Sequence, residues 1–472
     1  METSPETTES FFKLLIPASA STTSNNKITI LCGQPWELVE FNRLEDAPPY
    51  TAISYSWTLE KNQTESKRTI PVIETVIKAF QSIESQEKAV KSYFQDSERT
   101  TEQLKLMHAA SRAIWIDSLC VSKDQALANV CIHNMGIIYK KATQVFVALN
   151  AECEGTVLKI SNNEQLNLSD YEAVASDDWI DRIWTYQEIA NSKLMFIVAE
   201  GEGSVLISEL QFLNSLMYDD AAYTNTSDTD LYQKLERMQR LIAEQNIGKR
   251  SAFQVMSSIQ NRHSSGDESL NRINVMLAVI SDEFIMDKSQ NVTALVEKFV
   301  SICEKNNDYS FIFSRNERSA ELGKQWRPIG DKIEPVVSNV VMLGSGLSAN
   351  FKGTHLQMKN MCRMLPNKIN SVTKKVEGFL NIDLSKEILE QLKQRGFNGT
   401  GKCVKLEHGY FFSQKSHKPS SNFFIVISHD VKFQQGAPAL LLRSTDTNLY
   451  KFCDVGVFIG AAPSASEIIN VC

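Results

Sequence analysis

Three short runs lack the polar–apolar alternation of a strand with one wet face: Ala113–Ile116 (AIWI), Gln144–Leu149 (QVFVAL) and Leu194–Ala199 (LMFIVA). A strand that is apolar on both faces must be covered on both faces, the situation of a parallel sheet between helical layers. Tyr50–Tyr55 (YTAISY) reads as a further strand of this kind, and Lys27–Cys32 (KITILC) as a shorter one. Helical periodicity fills the intervals. Residues from about Ile73 to Ser111 are charged, periodic and free of Pro and Gly, which predicts one or two helices. A helix is predicted from about Gln125 to Lys141, marked by Val130, Asn134, Ile137 and Ile138. Asp177 and Asp178 are N-cap candidates for another helix ending near Ala190. Strands alternating with helices give an α/β fold, a parallel sheet flanked by helices.

The chain of 472 residues exceeds what one hydrophobic core usually supports. Four segments are expected: a flexible Ser/Thr-rich lead over 1–27, the α/β domain over 28–203, a helical region over 204–330, and a β-rich C-terminal domain over 331–472. That last domain carries the runs GKCVKLEHGYFFS, NFFIVISHD, PALLLRS and LYKFCDVGVFIG, with one helix near Leu384–Arg395. A net charge of −7 argues against a nucleic-acid partner, which would call for a basic face. Nine cysteines contain no CxxC pair, so neither a zinc ribbon nor a disulfide framework is indicated, and the seven histidines show no metal-ligand spacing. No metal site is expected. No apolar window is long enough to span a bilayer, and FFKLLIP near the start is far too short. A cytoplasmic protein without membrane contact is the expectation. GFNGTGKC at 396–403 approaches a P-loop, but Cys403 stands where a Ser or Thr should hold magnesium, and a strand follows it instead of a helix.

Five of the six tryptophans fall at 36, 57, 115, 179 and 184. Trp115 and Trp179 read as core, whereas Trp57 and Trp184 stand beside turn or acidic residues, where lining a cleft competes with packing. On a helix, Trp184 and Glu188 lie one turn apart on one face, with Asp181 on that face too. Trp179, Ile180 and Ile183 form the adjoining apolar stripe, so Glu188 is expected at the border of buried and exposed surface. Asp117 ends its strand at the carboxyl edge, where open parallel sheets bind ligands, although capping the next turn explains it as well. Ser54, Tyr55 and Ser56 offer hydroxyls at the end of their strand, and Arg182 offers a cation to a phosphate or to a structural ion pair.

Three blocks, Tyr50–Trp57 (YTAISYSW), Ile114–Cys120 (IWIDSLC, continuing to Met135 and Tyr139) and Trp179–Glu188 (WIDRIWTYQE), resemble in order and spacing the signature blocks of heterokaryon-incompatibility (HET) domain proteins. The resemblance covers about residues 28–200, with an echo near 272–280. HET domains are in turn similar to TIR domains, which implies a TIR-like sheet and a role in programmed cell death, self/non-self discrimination or innate immunity. It also implies a Trp followed four positions later by a catalytic Glu, here Trp184 and Glu188, hydrolysing NAD to nicotinamide and ADP-ribose products. NAD is then substrate, not cofactor, with Ser54, Tyr55, Trp57, Asp117, Arg182 and Trp184 binding it. Self-association and an activating protein partner are implied as well. The alternative is a non-enzymatic signalling module that acts by protein–protein assembly. Departures from the family pattern over 121–129 favour that alternative: Val121-Ser122-Lys123 replaces Ile-Asn-Gln and Ala128-Asn129 replaces Glu-Arg; Thr58 replaces Gly, which makes that loop less tight.

Overall fold

The computed structural model describes residues 12–18, 28–56, 67–94, 97–201, 205–217, 231, 234, 250–264, 266–281, 283, 291–338, 340, 342–344, 346–365, 382–399, 403–406, 408–415, 422–433, 436–445 and 449–472. The chain divides into two compact units, Met1–Ile242 with Ser281–Ser289, and Ala243–Ile280 with Gln290–Cys472.

The first unit is built on an eight-stranded sheet. Its strands are β1 (Phe12–Pro17), β2 (Ile28–Leu31), β3 (Gln34–Phe41), β4 (Thr51–Tyr55), β5 (Ile114–Ile116), β6 (Gln144–Leu149), β7 (Met195–Ala199) and β8 (Ile207–Ser208). They lie in the order β2-β3-β1-β5-β4-β6-β7-β8. The β5-β4-β6-β7 core is parallel throughout, as the apolar runs predict. Every residue of β4, β5, β6 and β7 is buried. Full burial of each Val, Ile, Leu or Phe side chain stabilises the fold by about 2 kcal/mol relative to exposure.

Antiparallel strands extend this core on both sides. β1 pairs with β3 and, through Leu15 opposite Ile114, with β5. Phe12–Pro17 is thus an internal strand inside the segment expected to be a flexible lead, because Phe12, Leu14 and Leu15 are buried while Lys13 pairs with Glu40 on the outer face. β2 and β3 are joined by a two-residue turn in which Cys32 and Gly33 both take positive φ, 46° and 73°. That backbone matches the twist of a tight hairpin and suits glycine. β8 pairs with β7 at the other end.

Helices α1 (Thr69–Ala79), α2 (Ile83–Tyr93) and α3 (Ser97–Ala110) occupy the stretch expected to hold one or two. The short turn α4 (Asp117–Cys120) follows β5. The helix expected over 125–141 is two, α5 (Gln125–His133) and α6 (Met135–Lys141). Asn134 separates them: its φ of −105° and ψ of 6° leave the helical region, and its side-chain amide donates to the Val130 carbonyl at 2.7 Å. Then come α7 (Glu154–Ser161), α8 (Leu168–Ser176), α9 (Ile183–Asn191) and α10 (Glu209–Met217).

The second unit contains the helices Ala252–Ile259, Glu268–Ile280 and Val292–Lys305, then a ten-stranded antiparallel-rich sheet. Its strands are β9 (Met342–Leu343), β10 (Ala349–Phe351), β11 (Leu356–Met364), β12 (Cys403–Leu406), β13 (Gly409–Ser413), β14 (Phe423–Ser428), β15 (Lys432–Phe433), β16 (Gly436–Ser444), β17 (Tyr450–Gly460) and β18 (Glu467–Val471). β17 pairs with β18, β18 with β11, β11 with β14, β14 with β16, and β16 again with β17, which closes a small barrel. Phe411, Ile425, Ile427, Ala439, Leu441 and Phe458 pack together in its core. Phe311–Ser314, whose apolar character suggests a strand, is instead part of a 3-10 turn over Ser310–Phe313. Among the described residues no helix is long and apolar enough to cross a membrane.

Candidate functional site

The carboxyl ends of the four parallel strands converge on a set of polar residues. Ser54 lies near the end of β4 and Ser56 follows it, Asp117 follows β5, Asn150 follows β6 and Glu200 follows β7. In an open parallel sheet this edge is where ligands bind, because the strand ends leave polar backbone groups facing one crevice.

Glu188 reaches this edge from α9. It is only 4% exposed, so the expected border position is corrected to a buried one. Its carboxylate accepts a short hydrogen bond from the Ser54 hydroxyl. Ser54 in turn accepts from the Trp179 indole N–H at 2.6 Å, which makes a relay of indole, hydroxyl and carboxylate. The Tyr139 hydroxyl donates to the Ile53 carbonyl at 3.3 Å and acts on the Glu188 carboxyl from beside it. Tyr139 is held by an edge-on contact with Trp115, ring centroids 5.3 Å apart. Burial pushes the Glu188 carboxyl up to about 7, against the opposing Ser54 hydrogen bond; the negative charge of Asp117 adds to the rise, and the Arg182 charge and Tyr139 oppose it. Burial likewise pushes the Tyr139 phenol well up, with Glu188 and Asp117 reinforcing the rise.

Most of the sequence-predicted residues meet here. Ser54 touches Glu188 directly, and Asp117 and Arg182 act on it through their charges. Asp117 also accepts from the Ser118 N–H at 2.7 Å, but it is the first residue of α4, which has no side-chain cap. Tyr55 points to the other face of β4 and shares a 2.9 Å hydrogen bond with Thr69. Burial and then Asp117 raise its phenol to about 12. Trp184 is half-buried one turn before Glu188 on α9, but the indole bonded into the cluster is that of Trp179. Trp57 lies outside the described residues.

The helix carrying Glu188 starts later than expected. Asp177 caps a 3-10 turn over Asp178–Ile180, Arg182 is extended, and α9 begins at Ile183. Asp181 therefore does not share the Glu188 face; it pairs instead with Lys234 at 3.8 Å. Asp177 is itself buried and accepts from the backbone N–H groups of Trp179 at 2.8 Å and Asn150 at 2.7 Å, and from the Ser56 hydroxyl at 3.3 Å. Leaving two buried N–H groups unpaired costs about 1–3 kcal/mol each. Asp177→Ala is therefore expected to lower stability by about 3 kcal/mol in urea unfolding, with Asp177→Asn, which keeps one acceptor oxygen, losing less.

Sequence reasoning passed over Arg68. Its guanidinium donates to the Ser56 carbonyl at 3.0 Å, the Ser56 hydroxyl at 2.6 Å and the Ala148 carbonyl at 3.4 Å, and it pairs with Glu200. One side chain thus ties together the ends of β4, β6 and β7. Its only sequence signal is a cation directly before α1, which a solvated helix start explains equally well. Among the described residues, no group of three or more His, Cys, Asp or Glu is arranged to hold a metal ion.

The segment that supplies this cluster, residues 50–188, matches the family model described as "Heterokaryon incompatibility protein (HET)". The chain carries a HET domain. No curated protein and no solved structure matches the chain. The match begins at Tyr50, just before β4, and ends at Glu188 itself, so Ser54, Asp117, Tyr139, Trp179 and Glu188 all lie within the HET domain. A HET domain implies a role in heterokaryon incompatibility. At the departures from the family pattern, Ala128 and Asn129 are buried on α5, and Asn129 accepts from Gln125 at 2.9 Å.

Proposed function

We propose that the HET domain is an NAD glycohydrolase with Glu188 as its catalytic residue, and that loss of cellular NAD is how it acts in incompatibility. The observation that carries this reading is one buried carboxylate, poised near neutrality, at the carboxyl edge of a parallel sheet. Cleaving the nicotinamide–ribose bond passes through an oxocarbenium-like state with positive charge on the sugar. Nicotinamide leaves neutral, taking the bond electrons, so no strong general acid is required. A carboxylate in a low-dielectric pocket stabilises the developing cation, and a carboxyl near pH 7 is suited to accept the proton of the attacking water. The C1′–N bond breaks, a C1′–O bond to water forms, and the products are nicotinamide, ADP-ribose and a proton. Ser54 orients the carboxylate, Asp117 is placed to hold ribose hydroxyls, and Arg182 to meet a phosphate. A nicotinamide or adenine ring stacks on Trp57 or Trp184. Self-association completes the site, and a protein partner in the cytoplasm triggers it.

Purified protein incubated with NAD is expected to release nicotinamide, at a rate per molecule that rises with protein concentration. Glu188→Gln is expected to abolish the release. A second reading, an assembly module without turnover, is favoured by the Ser54 hydrogen bond that already engages the buried Glu188 carboxylate within the protein. Self-assembly with no nicotinamide at any protein concentration would decide for it.

A further inference from the structure

The β-rich second unit contains a cavity of about 400 Å³ whose walls include Arg315, Arg318, Gln325, Lys415, Phe452 and Asp454. Small-molecule sites typically measure about 300–1,000 Å³ and use a few fixed polar groups for orientation. Arg318 is the unusual wall. Its guanidinium lies over the Phe452 ring, 4.6 Å from the centroid. It donates to the carbonyls of Ile312 at 2.8 Å and Ser314 at 2.5 Å, and to the Ser314 hydroxyl at 3.0 Å, all neutral acceptors. Its Nε–H is enclosed and has no acceptor. Among the described residues no carboxylate pairs with Arg318 within ion-pair distance, whereas the neighbouring Arg315 has Glu334 at 2.9 Å. The Asp454 carboxylate acts on Arg318 from further away and is engaged by the Ser413 hydroxyl and the Lys415 N–H.

A guanidinium set on neutral acceptors lacks an adjacent counter-charge. The desolvation is strong enough to lower the Arg318 guanidinium to about 9. Arginine's planar fork suits an oxyanion, and Lys415, exposed at the rim, adds a second cation. We propose that this cavity is a binding site for a compact polar ligand bearing a phosphate or carboxylate group, with Arg318 as the principal donor. The site belongs to the second unit and does not depend on the chemistry assigned to Glu188.

The test uses the full chain titrated with sodium pyrophosphate, and separately with citrate, at constant ionic strength by calorimetry. Saturable binding of either probe is expected, at least tenfold weaker in Arg318→Gln, several-fold weaker in Lys415→Gln and unchanged in Glu188→Gln. Cys453, a half-buried residue of the same wall, is expected to lose reactivity toward iodoacetamide when the probe is bound, read by peptide mass spectrometry. If Arg318→Gln does not fold, Lys415→Gln and Cys453 protection carry the test. Absence of binding to both probes, equal affinity in the folded Arg318→Gln and Lys415→Gln variants, or Cys453 reactivity unaffected by bound probe would overturn the proposal. Loss of binding in Glu188→Gln would move the ligand to the HET domain and overturn it as well.

Discussion

Replacing Glu188 by Gln is expected to abolish nicotinamide release, by at least ~100-fold, while making the protein more stable at pH 8. The two effects share one cause. Burial holds the Glu188 proton up to about pH 7 in the folded chain, from an ordinary value of 4.5. When folded, the group binds its proton more tightly than when unfolded, so between those two values the native state carries the extra proton and stability falls as pH rises. The group contributes no such loss below about pH 4.5, where it is protonated in both states, and the loss is complete above about pH 7. Converted by linkage, it amounts to about 3 kcal/mol. The amide of Gln carries no charge to desolvate, and its oxygen still accepts from Ser54. Urea unfolding of wild type and variant should therefore diverge from pH 5 to pH 8, with the variant ahead, and coincide near pH 4. Equal stability at every pH would mean that the carboxyl sits in ordinary solvent and would remove the physical basis for assigning it chemistry.

Replacing Gly456 by Ala in β17 is expected to cost the β-rich unit more than about 3 kcal/mol, near the upper end of what overpacking does. Gly456 lies where β17 is paired on both sides, with Ser413 of β13 and Ala439 of β16. A Cβ there would stand 2.1 Å from the Phe412 carbonyl oxygen and 2.5 Å from the Phe411 ring. A backbone oxygen inside a paired strand cannot step aside, so β13 must be pushed away from β17 and their pairing lost. Hydrogen exchange should show protection lost across residues 403–460. Gly155 of α7 is the control, since a Cβ there meets nothing within 4 Å. Gly155→Ala should be neutral or gain about 0.5–1 kcal/mol from reduced unfolded-chain freedom. Unchanged exchange in Gly456→Ala would show that the strands tolerate more separation than their pairing implies.

The parallel core was legible because its signal is local: QVFVAL and MFIVA are apolar at every position, and both strands lie where that pattern puts them. β1 was not, because FKLLIP is short, sits behind a polar run, and owes its strand state to partners as distant as Ile114. β11 was missed for the opposite reason, since LQMKNMCRM mixes Lys, Asn and Arg with its methionines and hides its alternation. In the site, Ser54, Asp117 and Glu188 were readable from their places at strand ends and on one helix face. The roles of Tyr139 and Trp179 were not. Each depends on contacts far along the chain, and an aromatic bonded to Ser54 or to the Ile53 carbonyl looks, in one dimension, like any other core aromatic.

The position of β1 between β3 and β5 bears on any attempt to isolate the domain. A piece trimmed to the matched residues would begin at β4 and discard β1, which pairs with β5 on its outer side. It would present a naked row of amide donors and acceptors beside the apolar surface that Phe12, Leu14 and Leu15 otherwise cover. Such a rim recruits other copies of itself, so the excised fragment would clump through strand addition, and that clumping would be easy to mistake for the domain's own signalling assembly.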